Sequence, residues 1–271
     1  MRGVSQASYR AVADGYERVL AAAGADAAGL GGELFGVVDA LDRSGALRRA
    51  LSDPARDGDD KAALAEHLLG GKADPRVVEL VGTLARQRWS TPEDLTEALE
   101  RLAAETVLAA AQAGGDLERV EEELFRFGRF LAHERGVREA LTDRMATPEA
   151  RVAVARTLLA GKVHPVTAQL VERAAREPRG RTITSTLADL GRLAALRRQR
   201  LLATVTVAVP PTPAQLERLT ALLTRAYGRA VQVNVAVDPE VVGGLRVVVG
   251  DEVVDATVLA RLDEVRRRLA V

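Results

Sequence analysis

Over most of this chain apolar residues recur every three to four positions, the period of helices that bury one face. The stretch 5–23 predicts a first helix. Leu34, Val37, Val38 and Leu41 share one face of a second over 31–43, and Leu47 to Leu51 makes a short third. Asp57-Gly58-Asp59 supplies caps for a fourth, running through Leu64 and Leu68 to Gly70-Gly71. Asp74-Pro75 opens a fifth, with Asp as cap and Pro at the first helical position, where its missing N–H costs nothing. Thr91-Pro92-Glu93-Asp94 opens a sixth, the acid placed to complete a capping box. Leu95, Leu99, Leu102 and Thr106 stay in register along it.

Near residue 203 the period changes to two, that of a strand with one buried face. Residues 203–209 form one such run, stopped by Pro210-Pro211. Thr212 and Gln215 form another capping box, for a helix through Leu216, Leu219, Leu222, Leu223 and Tyr227 to Gly228. Val231, Val233, Val235 and Val237 then alternate with Gln232, Asn234 and Ala236 until Asp238-Pro239. Gly243-Gly244 permits a tight change of direction before a second alternating run at Leu245, Val247 and Val249. Gly250-Asp251 is a turn signal, and Glu252 to Val254 can pair back as a short strand. Val258, Leu262, Val265 and Leu269 lie on one face of a last helix. The predicted fold class is mostly α with a small α+β C-terminal domain, a β-α-β-β-α module.

The helical text is written twice. Residues 50–81 recur as 140–171: Ala50, Leu51, Asp53, Leu68, Leu69, Gly71, Lys72, Pro75, Leu80 and Val81 are each repeated 90 positions later. Glu33-Leu34-Phe35 returns as Glu123-Leu124-Phe125 at the same offset. Arg101 to Ala104 returns as Arg192 to Ala195 after a one-residue slip. Ordered, ungapped matches of this kind imply a duplicated bundle; two copies are too few for a solenoid. From Glu93 to Gln112 there is neither Pro nor Gly, so the last helix of copy one should flow into the first of copy two. The expected domains are 1–105, 106–202 and 203–271, the first two being bundles of about six helices that share a long helix.

Charge and composition narrow the function. Hydrophobic residues are 47% and aromatics 3%, so the cores rest on Ala, Leu and Val, which let helices approach closely. Lys plus Arg equals 38 and Asp plus Glu 38; a zero balance weighs against a nucleic-acid binder. With no Cys, disulfides and thiolate chemistry are excluded. Three His, none paired at ligand spacing, make a structural metal site improbable. No apolar run approaches a membrane span, and the first ten residues lack a signal-peptide core, so a soluble, non-exported chain is expected.

Candidate chemistry is sparse. Gly71-Lys72 and Gly161-Lys162 suggest a phosphate loop, but Glu66 and Arg156 stand where its earlier Gly belongs, and neither Lys is followed by Ser or Thr. Both read as helix C-caps with a surface Lys. His67, His133 and His164 read as surface or capping groups, and Trp89 as partly buried at a helix end. Glu121-Glu122-Glu123 and the basic run Arg192, Arg197, Arg198 and Arg200 read as solvated helix faces. No nucleophile–base pair or paired-acid arrangement stands out. The expectation is a non-enzyme with no cofactor.

The C-terminal text resembles the δ subunit of bacterial F-type ATP synthases, the relative of the mitochondrial oligomycin-sensitivity-conferring protein. Val231, Val233, Val237, Asp238, Val241, Gly243, Gly244, Leu245, Val247, Gly250, Asp251, Asp255 and Leu262 carry the resemblance. Val248 and Ala256-Thr257 are mild departures from the pattern. The opening 5–16 and the stretch 141–181 resemble the family's helical domain. A second bundle resembles the actinobacterial form, and copy two, which feeds the C-terminal domain, is the expected ancestral one. The resemblance implies a mechanical function, with the helical part on the crown of the catalytic head, gripping α subunits with β beside them, and the C-terminal domain gripping the end of the b-subunit stalk. It further implies a peripheral location on the cytoplasmic face of the cell membrane, with no direct membrane insertion and no nucleic acid. Helix-in-groove contact needs apolar anchors; Val166, Leu170 and Ala174 on the fifth helix of copy two are candidates, matched by Arg76, Leu80 and Leu84 in copy one. A different class, an RNA-binding helical regulator, rests on the basic run alone.

Overall fold

The computed structural model describes residues 1, 3–143, 145–198, 201–227, 231–238, 244–249 and 252–255. Helices α1 (Gly3–Ala23), α2 (Ala27–Arg43), α3 (Gly45–Ser52), α4 (Gly58–Leu69), α5 (Pro75–Arg86) and α6 (Pro92–Ala113) come first. Then follow α7 (Leu117–His133), α8 (Arg135–Thr142), α9 (Pro148–Leu159), α10 (Pro165–Arg176) and α11 (Ile183–Arg198). The last described elements are β1 (Leu201–Val207), α12 (Pro213–Tyr227), β2 (Val231–Val237), β3 (Leu245–Val249) and β4 (Glu252–Asp255). The chain is mostly helical, with a small sheet towards its C-terminus. It divides into two compact units, Met1–Ala195 and Leu196–Val271. The final helix expected around Val258 to Leu269 lies outside the described residues.

The repeat is visible in the element bounds. Each of α2 to α5 reappears 90 residues later as α7 to α10 with both ends displaced equally; Ala27–Arg43, for example, becomes Leu117–His133. Gly71 and Gly161 close α4 and α9 in the same left-handed conformation, with φ of 69° and 68°. A side chain at either site would be strained. Lys72 and Lys162 then turn back, each Nζ donating to the carbonyl four residues earlier, Leu68 and Leu158.

Helix starts largely follow their caps. Asp57, Asp74 and Thr147 accept from the backbone N–H groups of Asp59, Arg76 and Ala150. Thr212 and Gln215 form a complete reciprocal box, Gln215 Oε1 accepting from Thr212 N at 2.8 Å. At Thr91 only half a box forms. Its hydroxyl accepts from Asp94 N, but the Asp94 carboxylate accepts from the Ser5 hydroxyl at 2.7 Å, joining α6 to α1. Asp116, the residue before α7, makes no side-chain cap bond; its carboxylate stands 3.6 Å from His164 Nε2.

One hydrophobic core runs through the helical unit from Tyr9 to Ala194. Helix α6 is its axis, unbroken as its lack of internal Pro and Gly predicts. Every residue from Leu102 to Ala111 is buried, so this half of the helix has no solvent face. The run is rich in Ala because neighbouring backbones come close. Gly31 of α2 lies so near that a Cβ there would stand 2.3 Å from Val107 Cγ2 and 3.0 Å from the Ala103 carbonyl.

In the C-terminal unit the strand order is β2-β1-β3-β4. β1 is parallel to β2 and antiparallel to β3. A parallel pair needs a crossover, which α12 supplies. Val205, Val207, Val231 and Val247 form its core with Leu219 and Leu223 of α12 packed against them. β1 starts at Leu201 and not at 203, and α11 stops at Arg198. Leu201 and Leu202 suit either period, and a short apolar run does not say which one governs it.

Candidate interaction surfaces

Several charged side chains of the helical unit hold its own backbone. Glu33 Oε2 accepts from Asp74 N at 2.7 Å, tying α2 to the start of α5. Ninety residues on, Glu123 Oε2 accepts from His164 N at 2.8 Å and from the Thr167 hydroxyl at 2.6 Å, tying α7 to α10. Glu123 is therefore not part of a solvated face, and sequence reasoning missed its role. Burial raises its carboxyl pKa, but hydrogen bonds from Thr167, His164 and Arg119 outweigh burial and the net shift is downward. His164 Nδ1 also caps α10 by accepting from Val166 N. Lys61 and Arg151 occupy matching buried sites. Lys61 donates to the Gln87 carbonyl, and Arg151 to those of Asp143, Ala146, Ala175 and Arg176.

The basic run also departs from a uniform solvated face, since Arg197 is buried and Arg192 pairs with Asp189. Trp89 is more buried than expected, and its Nε1 donates to the Leu84 carbonyl at 2.9 Å. A cleft of about 590 Å³ is lined by Arg138, Arg151, Arg179 and Arg181. Its arginines are already engaged, Arg138 with the Leu131 carbonyl and Arg179 and Arg181 with Glu100. The cluster holds backbone carbonyls through Arg138 and Arg151 and the Glu100 carboxylate through Arg179 and Arg181.

The two repeated halves meet along α2 and α10. Arg173 lies over the Phe35 ring at 4.8 Å, pairs with Asp39, and reaches Glu100 at 3.4 Å. Gln169 Nε2 donates to the Ala28 carbonyl at 3.1 Å. Arg179, at a φ of 49°, pairs with Asp42 and Glu100. Glu100 thus faces Arg173, Arg179 and Arg181 together. Nothing in the repeated text announced this joint. Its signal is where the copies differ: Asp39 and Asp42 become Arg129 and Ala132.

The residues offered as apolar anchors sit inside. Val166, Leu170 and Ala174 are buried, as are Leu80 and Leu84. Arg76 is half-exposed and forms a bidentate pair with Asp74, at 2.9 and 2.8 Å. Hydrogen bonds from Arg76 hold the Asp74 carboxyl at about 2. Of the C-terminal motif, Val247 is buried, Leu245 packs on the sheet core, and Val237 is half-exposed at the end of β2. Asp238 N donates to the Val207 carbonyl at 2.9 Å, and Gly244 has a φ of 81°. Asp255 ends β4. Gly243, Gly250, Asp251 and Leu262 lie outside the described residues.

Among the described residues no cluster of His, Cys, Asp or Glu is able to hold a metal ion, and no helix is long and apolar enough to cross a membrane. Polar groups used on internal joints, and helical faces joined to a small sheet, define a scaffold whose faces are its means of action. The family model of the ATP synthase delta (OSCP) subunit matches residues 103–269. The ATP synthase subunit delta of Beutenbergia cavernae is 56% identical over 270 residues, covering 100% of both chains. That of Streptomyces griseus is 48% identical, covering 90% of each chain. That of Kineococcus radiotolerans is 47% identical, covering 99% of this chain and 97% of the relative. The chain belongs to the ATP synthase delta (OSCP) subunit family.

Proposed function

We propose that the chain is a non-catalytic stator subunit of the F1Fo ATP synthase, part of the peripheral stalk that keeps the catalytic head from turning with the rotor. Its end-to-end likeness to subunits named ATP synthase subunit delta is the observation that carries this reading. The helical unit binds α subunits, with β beside them, at the crown of the head. The C-terminal unit holds the end of the b-subunit stalk, and the whole sits peripherally on the cytoplasmic face of the membrane.

The helical unit is two six-helix copies, 1–105 and 106–202, and α6 is the last helix of one and the first of the next; 203–271 is the stalk-binding domain. Element bounds repeated at one offset support the reading of two copies. Copy two is the ancestral unit, since the family match begins at residue 103 and omits copy one. Val166, Leu170 and Ala174 seat the α10 helix, against whose bundle an α-subunit helix docks, and Leu80 and Leu84 seat α5 in the same way.

Affinity purification of the tagged full chain from detergent-solubilised membranes tests the reading. It should bring down α and b subunits, and a chain truncated after Arg198 should retain α and lose b. Loss of both partners would refute the division of labour. Absence of ATP synthase subunits from the full-length preparation would refute the function.

A further inference from the structure

The duplication gives an internal control for what each helix face is built to meet. On α2 the outward stripe is Ala28, Gly32, Phe35, Asp39 and Asp42. Copy two reaches it at several points and buries Phe35 at its centre, while Gly32 and Asp42 stay exposed. Gln169 bonds to the Ala28 carbonyl, and a Cβ at Gly32 would stand 3.4 Å from Gln169 Nε2. Arg173 covers Phe35 and pairs with Asp39, and Arg179 pairs with Asp42. Phe35 is left 7% exposed.

Ninety positions on, the same stripe of α7 is Glu118, Glu122, Phe125, Arg129 and Ala132, and all five are exposed. Phe125 is 63% exposed, with its own helix's Arg129 over the ring at 5.9 Å. Phe130, 41% exposed, lies about 140° round the helix from Phe125 and stacks on Phe127 at 6.0 Å. A large aromatic kept at the centre of a charged stripe is the composition of an anchor residue in a helix-to-helix contact.

We propose that this face of α7 docks an amphipathic helix from another subunit of the ATP synthase, in the manner that α10 docks on α2. The proposal rests on the stator reading. Its chemistry follows from the substitutions along the stripe. Arg129 stands where Asp39 receives Arg173, so the partner presents a carboxylate there. Glu118, and Glu122 with Arg126 of its own helix paired to it, stand where Ala28 and Gly32 face Gln169, so an acidic group on the partner is disfavoured at that end and a basic or amide group fits. Between them an apolar side chain covers Phe125. The equivalent helix of a second copy, α5, does not fit. The repeat equivalent of Gln169 is Glu79, and docking α5 in this way would set Glu79 against Glu118 and Glu122.

The test places the photo-crosslinking residue p-benzoylphenylalanine at position 125 of the full chain and irradiates the purified, assembled ATP synthase. The expected product is one crosslink to another subunit, mapped by mass spectrometry to a helix with a carboxylate about one turn from the crosslinked residue. Arg129→Glu in the same chain should lower the crosslink yield at least tenfold, and reversing the partner's carboxylate to Lys should restore it. Recovery of the chain in the complex with no crosslink would overturn the proposal. So would a crosslink to residues 256–271 of its own chain or to a second copy. Absence of the chain from the complex would instead refute the stator reading, and this proposal with it.

Discussion

Glu33 and Glu123 perform the same task at matched positions, each holding the N-terminal backbone of a helix 41 residues away in sequence. Glu123→Ala leaves His164 N–H and the Thr167 hydroxyl without their acceptor. An unsatisfied buried donor costs about 1–3 kcal/mol, so the midpoint of thermal unfolding should fall by roughly 2–12 °C. The folded-state pKa of Glu123 is depressed. Its contribution is therefore complete above the unfolded carboxylate value, near ~4.3, and is lost as pH falls through the lower folded value. Urea denaturation of both proteins at neutral and acid pH checks this, and a gap that did not narrow as the pH fell would contradict it. Tyr9 gives the opposite sign. Burial, and then the charge of Glu105, raise its phenol well above its usual range, and its hydroxyl donates to Glu105 at 2.6 Å. This contribution is complete below the unfolded value, near ~10, and is lost as pH rises above it towards the folded value. Tyr9→Phe should be less stable than wild type at neutral pH and lose less of its stability between ~pH 9 and ~pH 11. Such pairs mark the limit of what the text reveals. The Thr212–Gln215 box is legible because both partners lie within one turn. Asp94 was misplaced because its partner, Ser5, is 89 residues away.

At the scale of elements, packing against α6 separates two glycines that look alike in the text of α2. A Cβ at Gly31 meets Val107 and the Ala103 carbonyl at 2.3 and 3.0 Å, whereas Gly36 has nothing within 4 Å. Helix propensity favours Ala at both positions by about 1 kcal/mol. At Gly31 a clash with a neighbouring helix costs about 1–3 kcal/mol, and the helices must part to relieve it. Gly36→Ala should raise the urea midpoint and Gly31→Ala should lower it; two shifts of the same sign would show that α2 does not press on α6 as described. Helix identity and most boundaries were legible because the 3.6-residue period and the caps are local signals. Which apolar residues are interface and which are core was not. Val166, Leu170 and Ala174 sit at four-residue spacing whether they face a partner or their own bundle, and they turn out to face the bundle.

For the whole molecule, a stator subunit must pass torque between its binding faces, so its two helical copies should not hinge. Two features oppose hinging. α6 crosses from one copy to the other without a break, and Glu100 gathers Arg173, Arg179 and Arg181 from the second half. The side chains of Glu100, Arg173 and Arg179 are 15%, 8% and 18% exposed, so solvent screens these pairs less than it would surface pairs. Removing one partner of a buried pair costs about 3–5 kcal/mol, because the remaining charge stays buried. Glu100→Gln leaves three guanidinium groups around a neutral amide, with Asp39, Asp42 and Asp189 as the remaining acids. The core itself is continuous from Tyr9 to Ala194. A chain truncated after Arg198 should therefore lose its helical circular dichroism in one cooperative thermal step. In Glu100→Gln that step should move down or divide, and amide exchange should speed up in α10 and α2 ahead of α3 and α4. Two separated steps in the unsubstituted unit would mean that the copies melt independently. The joint would then be a contact between two bodies, and torque would pass through α6 alone.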